Sequence, residues 1–428
     1  MGSLLDELSW RGLIYQQTEG LAAALAAAPV SGYVGFDPTA PSLHVGNLVP
    51  VMGLVHLQRS GHNPIILVGG GTGLIGDPSG KTTERQLGSA DTVAANARAI
   101  RTQLERFVDF TGPRAARMLD NAEWLTGLRA IDFMRETGRH FTISSMLAKE
   151  SVKSRLEGSG GISYTEFSYM LLQAYDYLEL SRRAGARLQL GGSDQWGNIT
   201  AGIELIRRVD GGEAHALTFP LMTTAAGTKF GKTEAGSVWL DPERTSPYRF
   251  YQFWINAEDR DVPRFLRTFT LLDRSEIEEL ERTIAERPER REAQQRLAVD
   301  ITSRVHGEDP ARVAAEVSDT LFGGADPASL SLAALEALRR EVPFAEVTAP
   351  GSGEAANEGF DVMDMMITTG LAASRGAGRR LLEQGGVYVN GRRLAADERR
   401  LSRSHLLPGR HFLLRKGARD YALVHVAE

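Results

Sequence analysis

The chain has 428 residues, enough for two or three domains, and its 42% hydrophobic and 24% charged residues suit a globular protein with a sizeable core. It has no cysteine, which excludes disulfides and thiolate metal sites and fits a reducing compartment. The net charge of −5 argues against a generally basic nucleic-acid binder, but residues 361–428 hold 12 Lys and Arg against 7 Asp and Glu, a local excess of +5 that leaves −10 on the rest.

Residues 1–28 read as helical. Met1-Gly-Ser-Leu-Leu-Asp-Glu7 lacks the basic start of a secretory leader, and the apolar run Leu21–Val30 is far short of a membrane span. A cytoplasmic protein with no membrane contact is expected. Val30 to Phe36 reads as a strand, Asp37-Pro38-Thr39 as a turn, and Pro41–Ser42 as the start of a helix. His44 to Arg59 carries helical apolar spacing at Val45, Leu48, Met52 and Val55. A strand that feeds a helix N-terminus is an anion site, because free N–H groups and the positive dipole end converge there. His44 adds a side-chain donor, and Gly46 leaves room for a flat ring. An ordinary strand–helix unit with an incidental histidine would read the same way.

His62 to Gly69 is a continuous apolar run, as in a parallel strand buried on both faces. With the intervening helix it makes a βαβ unit, so the expected fold is α/β: a doubly wound, Rossmann-like parallel sheet with ligands beyond the C-terminal strand ends. At such an end lies Gly69-Gly-Gly-Thr-Gly-Leu-Ile-Gly-Asp-Pro-Ser-Gly-Lys-Thr-Thr-Glu-Arg85. Its spacing fails the P-loop rule, since three residues separate Gly76 from Gly80 where four are needed. The stretch reads instead as a glycine-rich floor with Asp77 pointing in and Lys81 and Arg85 as phosphate-reaching cations, or as a plain surface loop.

Residues 91–153 read as helices without evident chemistry. Tyr164 to Leu180 is a core helix on which Tyr169, Gln173 and Asp176 fall at i, i+4 and i+7, one polar stripe. Burying three such groups requires partners, either neighbouring protein or a ligand. Leu188 to Asn198 gives a strand ending at Gly191-Gly192 and a helix starting near Asp194, with Asp194 suited to a ribose hydroxyl and Gln195 to a carboxylate or phosphate oxygen. Lys229 and Lys232 lie three apart on a glycine-flanked loop, a weak signal alone.

Residues 246–340 read as amphipathic helices, and 341–359 as a linker. The last module has helices carrying Arg375, Arg379 and Arg380, then a hairpin signalled by Asn390-Gly391. The expected division is thus 1–245, 246–340, a 341–359 linker and 360–428.

Jointly these stretches resemble the bacterial-type tyrosyl-tRNA synthetase family, class I synthetases with an S4-like C-terminal domain. The resemblance rests on Tyr33-Val-Gly-Phe-Asp-Pro-Thr39 with His44-Val-Gly-Asn47, Gly76-Asp-Pro-Ser-Gly-Lys81, the Tyr169, Gln173 and Asp176 stripe, Gly191-Gly-Ser-Asp-Gln-Trp-Gly-Asn198, and Lys229-Phe-Gly-Lys-Thr233. Asn47 stands where many relatives have histidine. The resemblance implies activation of L-tyrosine by ATP, with Mg2+ on the phosphates and no tightly bound cofactor or protein-held metal, then transfer to tRNA(Tyr) by a homodimer. It also implies roles. His44, Thr39, Lys81, Arg85, Lys229 and Lys232 grip the phosphates, and Gln195 orients the reacting groups. Tyr33 and Asp176 read the phenol, while Asp77, Tyr169 and Gln173 hold the ammonium. Asp37, Gly46, Asn47, Gly191 and Asp194 line the nucleotide site, with Lys232. The competing readings are a tryptophanyl relative or small nucleotidyltransferase of the same fold, and a non-catalytic RNA-binding protein.

Overall fold

The computed structural model describes residues 2–79, 88–157, 161–225, 227, 230–233, 236–348 and 359–427. The chain forms two compact units, residues 1–245 with 255–305, and residues 246–254 with 306–428.

The first unit is built on a six-stranded sheet: β1 (Gln16–Gln17), β2 (Ser31–Phe36), β3 (Asn63–Val68), β4 (Arg117–Asp120), β5 (Ala186–Gly192) and β6 (His215–Phe219). Their spatial order is β1-β6-β5-β2-β3-β4. All neighbours run parallel except β1, which lies antiparallel on β6. The chain winds from β2 outward through β3 and β4, then returns to place β5 on the other side of β2. The order therefore reverses beside β2, where an open α/β sheet leaves a crevice. One sheet face carries Tyr33, Ile65 and Leu67 against Met170, Ala174, Tyr177 and Leu178 of the helix Tyr164–Ala184. The helix Leu48–Arg59 links β2 to β3 and is buried around nearly its whole circumference.

Three expectations need correction. Residues 1–28 are not one helical stretch: helices Leu4–Trp10 and Leu21–Ala27 flank the edge strand β1. Gly12 and Gly20, at φ 70° and 79°, break the helical path. The helix after β2 does not start at Pro41–Ser42 but with a 3-10 turn at Val45–Asn47 that runs into Leu48–Arg59. Leu43 and His44 stay extended because distant groups hold them and the residue after: Leu240 N–H bonds to Leu43 O, Val45 N–H to Val238 O, and Leu43 N–H to Gln103 Oε1. Finally, the all-helical reading of 91–153 misses β4, which pairs with β3.

In the second unit, helices Glu308–Ser318 and Leu332–Arg339 precede a five-stranded sheet. Phe344–Thr348, inside the expected linker, is a strand of that sheet and runs parallel to Asp420–Ala427. Its Phe-Ala-Glu-Val-Thr sequence alternates sides, a short strand signal that Pro343 and the glycines beyond it obscure. Asn390 and Gly391, at φ 48° and 77°, form the two-residue turn between Val387–Val389 and Arg392–Arg393. Gly378 sits mid-helix in Arg375–Glu383 because a Cβ there would come within 2.8 Å of Met363 Sδ.

Candidate active site

The side chains singled out in the sequence gather beyond the C-terminal ends of β2, β3, β4 and β5. Each strand end contributes a turn whose polar groups cannot all be met by the sheet ladder, so they bond to one another.

After β2, His44 caps the turn at Val45–Asn47. Its Nδ1 accepts from Gly46 N–H at 3.0 Å, and Asn47 Oδ1 accepts from His44 N–H at 3.0 Å. An Nδ1 that accepts leaves the proton of a neutral imidazole on Nε2, so the outer nitrogen is a donor. A Cβ on Gly46 would lie 2.8 Å from His44 Cε1, so only glycine lets the ring take this position. Trp239, paired with His44 through a backbone bridge, presents its ring edge at 6.1 Å.

Asp37, just beyond β2, accepts from two directions. Thr72 Oγ1 donates to Oδ1 and the Tyr169 hydroxyl to Oδ2, both at 2.7 Å. Burial holds the Tyr169 hydroxyl well above its usual range, and Asp37 adds to this. Tyr169 therefore stays a donor.

A second network joins the glycine-rich floor to the start of the helix Trp196–Asp210. Gln195 Nε2 donates to Asp77 Oδ2 at 2.7 Å, and Ser79 N–H to Asp77 Oδ1 at 2.9 Å. Gln173 Nε2 donates to Gln195 Oε1 at 3.2 Å, and Asn198 Nδ2 to Gln173 Oε1 at 2.9 Å.

The third network is the most buried. Asp176, 2% exposed, receives Asn121 Nδ2 on one oxygen at 2.8 Å and Trp124 Nε1 on the other at 2.7 Å. Burial pushes its carboxyl up to about 8, against the opposing effect of those two donors, with Asp37 and Asp120 adding to the rise. Tyr33, 1% exposed, packs edge-on to Tyr177 with centroids 5.2 Å apart. Its hydroxyl is buried with no hydrogen-bond partner among the described residues, and burial, Tyr177 and Asp176 all raise its pKa well above the usual value.

Tyr33 lies within β2; Asp37, His44, Gly46 and Asn47 follow β2, Asp77 follows β3, Gly191 is near the end of β5 with Asp194 and Gln195 after it, and Tyr169, Gln173 and Asp176 share the helix Tyr164–Ala184. Asn47 spends its Oδ1 on the His44 cap, and Thr39 is exposed with its N–H bonded to Asp37 O at 2.8 Å. Lys81, Arg85 and Lys229 lie outside the described residues, as does the side chain of Lys232, whose backbone pairs in the short ribbon 232–233 with 236–237. Sequence reasoning missed Thr72, Asn121, Trp124 and Trp239. Asn121 directly follows β4, so recognising that strand would have put it at a ligand-facing end.

Two family profiles match the chain: tRNA synthetases class I (W and Y) over residues 26–323, and the tyrosine--tRNA ligase SYY-like C-terminal domain over residues 336–424. The tyrosine--tRNA ligase of Roseiflexus castenholzii (strain DSM 13941 / HLO8) is 53% identical over 427 residues, covering 100% of both chains. That of Anaeromyxobacter dehalogenans (strain 2CP-1 / ATCC BAA-258) is 54% identical over 426 residues, again covering 100% of both. Among solved structures, a C-terminally truncated mitochondrial tyrosyl-tRNA synthetase of Aspergillus nidulans is 29% identical with a TM-score of 0.69, covering 75% of this chain and 95% of that one. The strand order, the residues at the strand ends and these full-length likenesses agree: the chain belongs to the tyrosine--tRNA ligase family of class I tRNA synthetases.

Proposed function

We propose that the buried space between Tyr33 and Asp176 receives the side chain of L-tyrosine, which the protein activates with ATP and transfers to the 3′-terminal ribose of tRNA(Tyr). The observation that carries this reading is the unpartnered Tyr33 hydroxyl beside Asp176. A buried polar atom left unbonded costs about 1–3 kcal/mol, and a phenol at that point removes the penalty. Phenylalanine would leave it in place, which is how such a pocket rejects the smaller ring.

Tyrosine's carboxylate is ionised at neutral pH and attacks the α-phosphorus of ATP, with pyrophosphate leaving. That step needs no general base and no protein nucleophile. The protein contributes position and donors for the negative charge that grows in the transition state. His44 Nε2–H is such a donor, and Thr39, Lys81, Arg85, Lys229 and Lys232 add others around the phosphates of ATP, which enters with Mg2+. Asp77, Tyr169 and Gln173 hold the ammonium, and Gln195 aligns the carboxylate with the α-phosphate. Asp37, Gly46, Asn47, Gly191 and Asp194 line the adenosine.

The catalytic work falls to residues 1–245, and tRNA contact to the helices of 246–340 and the basic module 360–428. A homodimer is supported by Ile131, Met134, Ile143, Leu147, Leu156 and Tyr164, large apolar side chains exposed along one segment, 130–164. The absence of cysteine suits work in the reducing cytoplasm.

Amino-acid-dependent ATP–pyrophosphate exchange tests the reading. Exchange is expected with tyrosine and lost in Asp176→Ala. Exchange with tryptophan in place of tyrosine would refute the pocket assignment, and no exchange with any amino acid would leave an RNA-binding protein.

A further inference from the structure

Two of the polar networks are one. Asn121, 1% exposed, spends both amide protons: one goes to Asp176 Oδ2 at 2.8 Å, the other to Thr72 Oγ1 at 2.9 Å. Its own oxygen accepts from Gly71 N–H at 2.7 Å, which fixes which way the amide faces. Thr72, 2% exposed, has a single hydroxyl proton and gives it to Asp37 Oδ1 at 2.7 Å. Asp37 in turn accepts the Tyr169 hydroxyl. The Asn121, Thr72 and Tyr169 donors in the run from Asp176 to Asp37 are thus assigned, and the Thr72 hydroxyl is an atom that both halves share.

We propose that Thr72 is a positioning residue for tyrosine activation. Its hydroxyl couples the group that reads the phenol, Asp176, through Asp37 to Tyr169, one of the groups that hold the ammonium, although Thr72 itself touches no substrate. The inference rests on reading this space as the tyrosine pocket. With the hydroxyl gone, Asn121 loses the acceptor for one amide proton, and Asp37 loses a donor. Asp176 keeps both of its donors, but the Asn121 amide that holds one of its oxygens and the Asp37 carboxylate that receives Tyr169 each lose an orienting bond. Buried networks act as units because each bond orients the next, so a change at one end should be felt at the other.

The test uses the full-length protein and pyrophosphate exchange driven by tyrosine or by phenylalanine. Thr72→Val keeps the shape and removes the hydroxyl. It is expected to raise KM for tyrosine by about ten- to a hundredfold, the range for hydrogen bonds to charged partners. KM for ATP should rise by less than KM for tyrosine, because Asp37, which lines the adenosine, keeps its bond to Tyr169, and the preference for tyrosine over phenylalanine should fall by at least about tenfold. Thr72→Ser, which restores the hydroxyl, should recover all three values. If Thr72→Val fails to fold, Thr72→Ala, which adds no atom, carries the same expectations. The coupling is overturned if the valine or alanine variant keeps wild-type discrimination, if serine is as impaired as valine, or if KM for ATP rises in step with KM for tyrosine. Asp176→Asn separates the two ideas. Intact tyrosine preference in that variant refutes the pocket reading itself. Lost preference there, with intact preference in Thr72→Val, refutes only the coupling.

Discussion

Gln195 Nε2 donates to Asp77 Oδ2 across 2.7 Å and thereby ties the loop after β3 to the turn after β5. On the proposed reading, an arriving ammonium needs that same carboxylate. Gln195 must then share or release Asp77, and its amide becomes available to the reacting carboxylate as the substrate docks. Asp77→Asn is expected to raise KM for tyrosine about ten- to a hundredfold, the effect of losing one charge-assisted hydrogen bond of ~1.5–3 kcal/mol. Gln195→Ala is expected to lower kcat more than it raises KM. Steady-state exchange kinetics over a tyrosine titration check both, and the assignment fails if the two variants show the same pattern.

His44 and Gly46 should behave as one device. His44→Ala removes the donor proposed to meet the phosphates and should slow adenylate formation by ~2–4 kcal/mol of barrier, with KM for tyrosine little changed. Gly46→Ala changes no donor, yet its Cβ would lie 2.8 Å from the imidazole and must displace it. Its loss of rate should therefore approach that of His44→Ala, and the double variant should be no worse than either single one. Single-turnover measurement of adenylate formation is the readout; additive losses would show that the ring position does not matter.

Stability should depend on pH with two opposed slopes. Burial raises the Asp176 carboxyl from 3.8 to about 8. The unfolded chain gives up that proton before the folded one, so its contribution is intact below about pH 3.8 and is lost as pH rises through about 8. His56 in the helix Leu48–Arg59 is the reverse case. Burial, with Arg11, Arg59 and Arg304 nearby, lowers it from 6.5 to about 3. Its contribution is intact above about pH 6.5 and is lost as pH falls through about 3, by up to roughly 5 kcal/mol. Thermal melts of the unliganded protein from pH 4 to 8 are expected to flatten at the alkaline side in Asp176→Asn and at the acid side in His56→Gln. The slopes are the test, not the absolute Tm values, because either substitution also alters packing.

Arg379 and Arg380 are exposed on the helix Arg375–Glu383, whereas Arg375 on the same helix is tied to Asp361 and Asp364. Reversing both free-standing charges, Arg379→Glu with Arg380→Glu, should leave pyrophosphate exchange untouched. It should raise KM for tRNA in the charging reaction and shrink its salt dependence. Unchanged charging would remove this helix from the tRNA contact.

Most of the architecture near the site was legible because its signals are local. The run Val30–Phe36, the apolar strand after His62 and the stripe on the helix Tyr164–Ala184 each declare themselves within a few residues, as does the Asn390–Gly391 turn in the other unit. What escaped is long-range. β4 has four residues, of which only Met118 and Leu119 are apolar, so it shows no period, and Asn121 and Trp124 went unnoticed with it. The delayed helix start at Val45 depends on residues 238–240 and on Gln103, which no reading of residues 41–45 could supply. The motifs pointed to the residues that gather here, but not to their pairing. That Tyr169 bonds to Asp37, and that Gln173 and Asn198 both turn to Gln195, follows from strand order.

Because β5 inserts against β2 on the side away from β3, the floor under Tyr33 is finished only when a strand beginning at Ala186 arrives. A nascent chain leaving the ribosome therefore carries half a binding site for much of its synthesis. Tyrosine, bound where we propose, would add to the stability of the folded form only once the Gly191–Asn198 turn has emerged.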